Sequence, residues 1–353
     1  MIRRDDGESW LLITQVDHAH LAGDLAAAWG NAQTPPVPEP TLLLPAIRDH
    51  DEGWRSWEKS PRIHRDTGIP REFLEMPMVD AVAIWRRSIE VCHRRERSLA
   101  DAFAVFEHFL ATRSKRLTPD RTTVAEVALA LSGTFDAERV AERMAIRGGR
   151  SYSLSTVYRT LGWLADAGLL MRDPRVRDRH VYRNAAHPAG PSPWPALWVS
   201  RHFTYLAELA RRHSNRQERD REALDAFLTD QRALQANWRD SARLECGDEA
   251  VVQSSEDRGY RWLQFFDRLS LWLCCSERSL TEQMTLPHEG GIHFTPLKSG
   301  EIAVEPYPFH TTELTVSVSA RRIPAAPFSS DEALTSALAT AVPTQLQWSF
   351  VRW

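Results

Sequence analysis

Leu314, Val316 and Val318 alternate with Thr315, Ser317 and Ser319. That period of two predicts a half-buried strand late in the chain. Elsewhere apolar positions recur every three to four residues, the spacing of a helix face. They predict helices from about Asp17 to Gly30, Pro45 to Trp57, Val79 to Arg94 and Tyr260 to Cys275. A longer helical stretch runs from Trp198 to about Arg243, with a break near Ser214. The short apolar run Trp10 to Ile13 reads as a strand, and Thr34 to Pro45, with five prolines, as irregular loop. Lys298-Ser299-Gly300 marks a turn between two further strands. The pattern is that of a mainly α protein with a small C-terminal β layer.

The stretch 118–183 has its own punctuation. Thr118 can cap a helix whose first position is Pro119, where a missing N–H costs nothing. That helix stops at Gly133, Asp136 caps a second before Gly148-Gly149, and Ser153 caps a third. In the third, Leu154, Val157, Leu161 and Leu164 form one apolar stripe, and Ser155, Thr156 and Arg159 lie opposite, with Tyr158 at the margin. Leu169 to Arg172 and Arg179 to Arg183 can pair as a hairpin with Arg175 and Arg177 at its tip. Short hydroxyls with one Arg and one Tyr suit a helix in a DNA major groove, and the arginine-rich tip suits phosphates.

Charge sharpens the division. The chain has 353 residues and a formal charge of −3. Residues 97–186 hold 15 Lys and Arg against 10 Asp and Glu, an excess of five, so the flanks carry −8. A basic module sits inside an acidic host. The Pro/Gly-rich HPAGPSPWP, residues 187–195, forms the joint after it. Expected domains are therefore a discontinuous host, 1–96 with 187–353, and an insertion, 97–186. The segments RLTPDRTTVAEVALALSGTFDAERVAERM and SLSTVYRTLGWLADAGLL resemble the DNA-binding half of the ferric uptake regulator family. The resemblance implies a winged helix-turn-helix that contacts DNA through Thr156, Tyr158 and Arg159. The family's metal-binding half is missing: Gly133-Thr134-Phe135-Asp136 stands where a His often supplies a ligand, and no Cys-x-x-Cys occurs. The family's usual metal sites are thus not expected. The four cysteines suggest neither a zinc ribbon nor a disulfide framework. No run of about twenty apolar residues is present. The start MIRRDDGESW has no apolar signal core, so a cytoplasmic protein without a membrane span is expected.

Four host helices carry polar residues on faces that should be apolar. His18 shares a stripe with Leu21, Leu25 and Trp29; His50-Asp51 lies between Ile47 and Trp54. His202 sits between Val199 and Leu206, and Asp267 lies among Leu263, Phe266, Ser270 and Leu271. A buried carboxylate without a partner costs several kcal/mol as an order of magnitude. Imidazoles and carboxylates converging on a divalent metal ion would satisfy all five residues at once. A structural polar network is the alternative. His20 lies off the stripe of His18 and is expected to be solvated or to stand behind the site.

The order His, His-Asp, His, Asp resembles the HD superfamily of metal-dependent phosphohydrolases, with Asp51 the catalytic candidate if the chain is an enzyme. The host also resembles a bacterial family of unknown function, domain of unknown function 3891. WLLITQVDHAHLAGDLAAAWG, AIRDHDEGWRSWE, WVSRHFTYLAEL, LQFFDRLSLWLC and EPYPFHTTELTVSVSARRIP carry that resemblance on both sides of the insertion. Two functions follow. One is a DNA-binding transcriptional regulator whose HD-like helical core senses a metal or a small anionic ligand, dimerising through the host. The other is an HD-like phosphohydrolase, acting on a phosphorylated small molecule, that its winged helix targets.

Overall fold

The computed structural model describes all residues except 96–98, 112, 114, 132, 149–152, 173–179, 185–191, 213–216, 247, 276–280 and 289. The chain forms two compact units: Met1–Trp29, Leu43–Arg94 and Pro193–Trp353 in one, Gly30–Leu42 and Arg95–Ser192 in the other. The expected domain boundaries at 96 and 187, and most of the joint after them, lie outside the described residues.

Two antiparallel strands open the chain, β1 (Ile2–Asp6) and β2 (Ser9–Ile13). Gly7 takes φ +70 in the two-residue turn between them, a conformation that favours glycine. Helix α1 (Gln15–Ala28) starts two residues before the expected Asp17. Thr14 is its N-cap, and its hydroxyl accepts the Asp17 amide at 2.9 Å. The helix expected over 45–57 is instead α2 (Pro40–Asp49), a 3-10 turn (Glu52–Trp54) and the short α3 (Arg55–Glu58). The break falls at His50-Asp51, so this pair occupies a helix end rather than a helix face. α4 (Met78–Arg94) follows as expected.

Next come α5 (Leu99–Ala111), α6 (Pro119–Ala130), β3 (Thr134–Phe135), α7 (Ala137–Gly148), α8 (Leu154–Asp166), β4 (Leu170–Arg172) and β5 (Tyr182–Asn184). α6, α7 and α8 pack on one another through Val124, Val140, Met144, Val157 and Leu161. The strands form a sheet of order β3-β5-β4. Thr118 caps α6, and the Asp136 carboxylate accepts the Arg139 amide at 3.0 Å. Ser153 stands at the N-cap of α8 without a side-chain capping bond; its hydroxyl meets Ser155 Oγ at 2.7 Å. The buried stripe of α8 also differs from expectation. Leu154 is exposed and Thr160 is buried in its place, its hydroxyl bonded to the Thr156 carbonyl at 2.8 Å. A hydroxyl that bonds its own helix can be buried without an orphaned donor.

The long helices α9 (Pro193–Arg211) and α10 (Glu218–Cys246) pack on each other and on α4, and α11 (Glu249–Cys275) packs on both of them and along α1. After them run β6 (Glu282–Thr285), β7 (Gly291–Pro296), β8 (Ile302–Glu305), β9 (Leu314–Pro324), α12 (Asp331–Thr340) and β10 (Pro343–Arg352). They are mostly C-terminal strands, but the sheet is larger than a small layer: its order is β1-β2-β9-β10-β8-β7-β6. β10 and β8 are parallel and the other pairs antiparallel. β2 is buried on both faces, so its apolar run carries no alternation. Trp29, at the end of α1, is fully buried, edge-on to Trp262, Phe265, Phe266 and Phe309 at 5.1–5.7 Å between ring centroids. That contact fixes α1 against α11.

Gly53 allows the 3-10 turn to lie against α4. A Cβ there would stand 2.2 Å from the Ile84 carbonyl oxygen and 2.7 Å from Ser88 Oγ, which already accepts the Gly53 amide at 3.0 Å. Backbone cannot give way as a side-chain tip can. Gly53→Ala is therefore expected to cost about 1–3 kcal/mol, the range for overpacking. A urea-denaturation midpoint equal to that of wild type would contradict the close approach.

Candidate metal centre

His18 projects from α1, His50 and Asp51 from the end of α2, His202 from α9 and Asp267 from α11. The packing of these elements brings all five side chains together, though no two of the four elements are joined by a short hairpin. His18 Nε2 lies 3.1 Å from Asp267 Oδ1 and 3.8 Å from Asp51 Oδ2. His50 Nε2 lies 3.4 Å from Asp267 Oδ1 and 3.6 Å from Asp51 Oδ2. His202 Nε2 approaches Asp267 Oδ2 at 3.8 Å. The His50 ring stands edge-on to both other imidazoles, at 5.6 Å from His18 and 5.7 Å from His202. His18, His50, Asp51 and His202 are buried, and Asp267 is nearly so.

Two imidazoles have their tautomers fixed from behind. His50 Nδ1 lies 2.7 Å from the Ile47 carbonyl, which can only accept, so Nδ1 carries the proton. Ser270 donates its hydroxyl to the Asp267 carbonyl at 3.0 Å, which leaves Ser270 Oγ to accept from His18 Nδ1 at 2.8 Å. Both rings thus present Nε2 to the two carboxylates. Metal-binding histidines are commonly held in this way. His50 Nε2 is buried and has no hydrogen-bond partner, and neither has His202 Nδ1 on the far side of its ring.

Electrostatics makes the centre attractive to a cation. Burial works to lower the His50 pKa, but the Asp51 and Asp267 carboxylates and the Ile47 carbonyl outweigh it and hold it at about 9. Burial raises the Asp51 carboxyl against the pull of His50 and His18. Asp267 is held well below the usual carboxylate range: burial opposes this, but the hydrogen bond from His18 and the close approach of the His50 imidazole prevail. Burial takes His202 down to about 4, only partly offset by Asp267. The Asp267 and Asp51 carboxyl groups thus favour positive charge in the centre, and His50 holds a proton beside them.

The residues fit a metal ion. The sets His18, His50, Asp51 and His50, His202, Asp267 each place their ligand atoms within 4.8 Å of one another. Bonds of about 2.0–2.2 Å to nitrogen and oxygen require ligand atoms about 3–3.5 Å apart, close to the separations here. A third set, His20 with Asp49 and Glu52, is different in kind. Its Glu52 carboxylate already accepts the Arg55 guanidinium at 2.6 and 2.8 Å and lies 3.2 Å from His20 Nε2. Arg55 is the cation of that group.

A cavity of about 560 Å³ opens beside the centre, with His202 and Asp267 in its wall. Tyr205, Arg261, Gln264 and Arg268 share that wall, and Met284 to Pro287, at β6, form another side. Sequence reasoning missed these residues, and it placed Ser270 on the helix face without seeing its bond to His18. Ser270 stands one turn after Asp267, and that spacing was the available signal.

In the other unit, Ser155, Tyr158 and Arg159 are exposed on α8 and Thr156 is partly so. The Tyr158 hydroxyl donates to Glu138 Oε1 of α7 at 2.7 Å. Arg175 and Arg177 lie outside the described residues.

Five buried His and Asp side chains able to hold a metal ion, on a helical scaffold backed by a sheet, define the first unit. The family described as Protein of unknown function (DUF3891) matches residues 1–100 and 173–325, and the chain belongs to it. Within it, residues 112–188 match the Ferric uptake regulator family. Neither a curated protein nor a solved structure matches the chain.

Ser270→Ala removes the acceptor that orients His18. It is expected to weaken zinc or manganese binding by about 10–100-fold, the usual effect of losing such a partner. His20→Ala should leave the affinity within experimental error. Calorimetric titration of both variants checks this, and equal losses in the two would show that Ser270 has no particular hold on the centre.

Proposed function

We propose that the protein is a DNA-binding regulator in which an HD-like helical domain carries an inserted winged helix-turn-helix. The host is residues 1–96 and 187–353, and the insertion is 97–186. The ferric uptake regulator match over residues 112–188 carries this reading. Domains of that family bind DNA and often form dimers. Duplex DNA and a second copy of this chain are accordingly the expected partners, in the cytoplasm. Among the described residues no helix is long and apolar enough to cross a membrane.

In this reading α8 enters the major groove. Arg159 and Thr156 reach base edges, Tyr158 is held at the groove margin by Glu138, and Arg175 and Arg177 take phosphates. In the host, His18, His50, Asp51, His202 and Asp267 hold a divalent metal ion, and the adjoining cavity admits the small ligand that is sensed. The cavity beside His202 and Asp267 also favours a second reading, a metal-dependent phosphohydrolase with Asp51 as a catalytic residue. A divalent ion would supply activation of water and neutralisation of phosphate charge.

Two measurements test the proposal. Elemental analysis of the purified protein should find bound divalent metal, and Asp51→Ala should lose it while keeping the helical circular-dichroism signal. Metal-free wild type, or an Asp51→Ala variant with unchanged occupancy and a raised thermal midpoint, makes the cluster a structural polar network.

DNA affinity should fall steeply with added salt, and Arg159→Ala should cost about 1–3 kcal/mol on a selected site. Fluorescence anisotropy on a duplex isolated by selection reads both. Salt-independent binding, or affinity unaffected by Arg159→Ala, removes α8 from the DNA.

A further inference from the structure

The chain passes between the two units at four places. Two are the ends of the insertion, Arg94 to Arg95 and Ser192 to Pro193. The other two lie far upstream, at Trp29 to Gly30 and at Leu42 to Leu43. The segment Gly30–Leu42 therefore belongs to the second unit, although the family match that defines the host runs through residues 1–100. On each side it leads directly to the candidate metal centre. α1, which bears His18, ends just before it. α2 begins inside it, at Pro40, and ends at Asp49, next to His50-Asp51.

The segment is built to carry a displacement rather than absorb it. Pro35, Pro36, Pro38 and Pro40 each fix one backbone angle. The Asn31 side-chain oxygen accepts the amides of Gln33 and Thr34 at 2.8 and 2.9 Å, and the Asn31 amide donates to the Thr34 carbonyl at 2.9 Å. Gly30, at φ +113, lets Pro36 fold back over it: a Cβ there would stand 2.8 Å from Pro36 Cα. Thr34 and Val37 are buried. Beyond the segment, α2 is held on α1. Leu43, Ala46 and Ile47 are buried, a Cβ on Gly23 would stand 2.8 Å from Arg48 Cβ, and Arg48 pairs with Asp24 at 2.8 Å. α2 is ten residues long, about 15 Å at 1.5 Å per residue. One short rod thus has its first residues in the second unit and its last beside two of the five candidate ligands.

A filled centre ties the His50-Asp51 end of α2 to His18 on α1, so the elements at both ends of the segment are held. Holding them removes freedom from the unit to which the segment belongs, and a unit with less freedom loses less on binding DNA. We infer that Gly30–Leu42 and α2 couple the metal centre to the inserted unit, so that a bound divalent ion tightens DNA binding. This rests on the metal and DNA readings proposed above, and it names the path between them.

The test uses the full chain, loaded with zinc or manganese and, separately, stripped with chelator. Fluorescence anisotropy gives the affinity for a selected duplex in each state, and calorimetry gives the metal affinity with and without that duplex. Loading is expected to raise DNA affinity by a factor of about 5–150, the usual size of such a coupling, and by linkage the duplex must raise metal affinity by the same factor. Val37→Ala removes the buried apolar side chain of the segment, and four Gly/Ser residues inserted between the exposed Pro35 and Pro36 slacken it. Each should bring the factor down toward one while the stripped protein keeps its DNA affinity. If stripping merely loosened the host, the factor would be the same in wild type and variants. The insertion, at an exposed site, serves if Val37→Ala folds poorly. A factor below two, a fall in affinity on loading, or a wild-type factor in a folded variant overturns the inference and leaves metal and DNA binding as separate properties. Loss of either binding in wild type overturns it together with the reading beneath it.

Discussion

Two carboxylates, Asp51 and Asp267, are taken out of water side by side, and the first unit is arranged to tolerate it. Each buried anion carries a desolvation cost of several kcal/mol as an order of magnitude. Three imidazoles from three further positions offset that cost, and two of them are held in one tautomer by groups that have no other task at the site. The constraint extends outward. α1 and α11 must stay in register for His18 to meet Asp267, and the Trp29 cluster at the end of α1 provides that registration. Gly53, by letting the 3-10 turn sit against α4, holds the chain just after His50-Asp51.

Much of this was legible in the chain. His18, Leu21 and Leu25 share a helical stripe, and so do Leu263, Phe266 and Asp267, so their polar members had to be inside. His50-Asp51 was also read correctly as buried, but for a different reason. The pair ends a helix, and the following turn is 3-10, which apolar spacing over 45–57 cannot distinguish from one continuous helix. The sheet was under-read because β1 (IRRDD) is polar and its pairing to β2 is the only thing that makes it a strand. β8 and β10 pair in parallel across α12, a long-range choice that local alternation does not encode.

The wall of the cavity beside the centre was not legible. Tyr205, Arg261, Gln264 and Arg268 look like ordinary solvent-facing helix positions, and exposed polar residues at helical spacing are usually that. They come to one wall only because α9 and α11 lie side by side. Likewise the Tyr158–Glu138 bond depends on how α7 meets α8, and neither residue announces it. Contacts between elements decide such roles, whereas stripes within an element decide burial.

The division of strand β9 has a consequence for the order of events as the chain is made. Leu314 to Arg321 pair with β10, and Arg321 to Pro324 pair with β2, some three hundred residues earlier. His18 and Asp267 are likewise 249 positions apart. The hairpin β1-β2 and the helix α1 leave the ribosome well before the neighbour that completes their sheet, which is made some three hundred residues later. Until then one edge of β2 and the apolar face of α1 stand open to other chains. Most of the second unit, Arg95–Ser192, is continuous in sequence and draws its pairings from within that stretch. The part of the chain that interrupts the host is thus also the part with the shorter loops to close, so the interruption matures while the host still waits for its last strands.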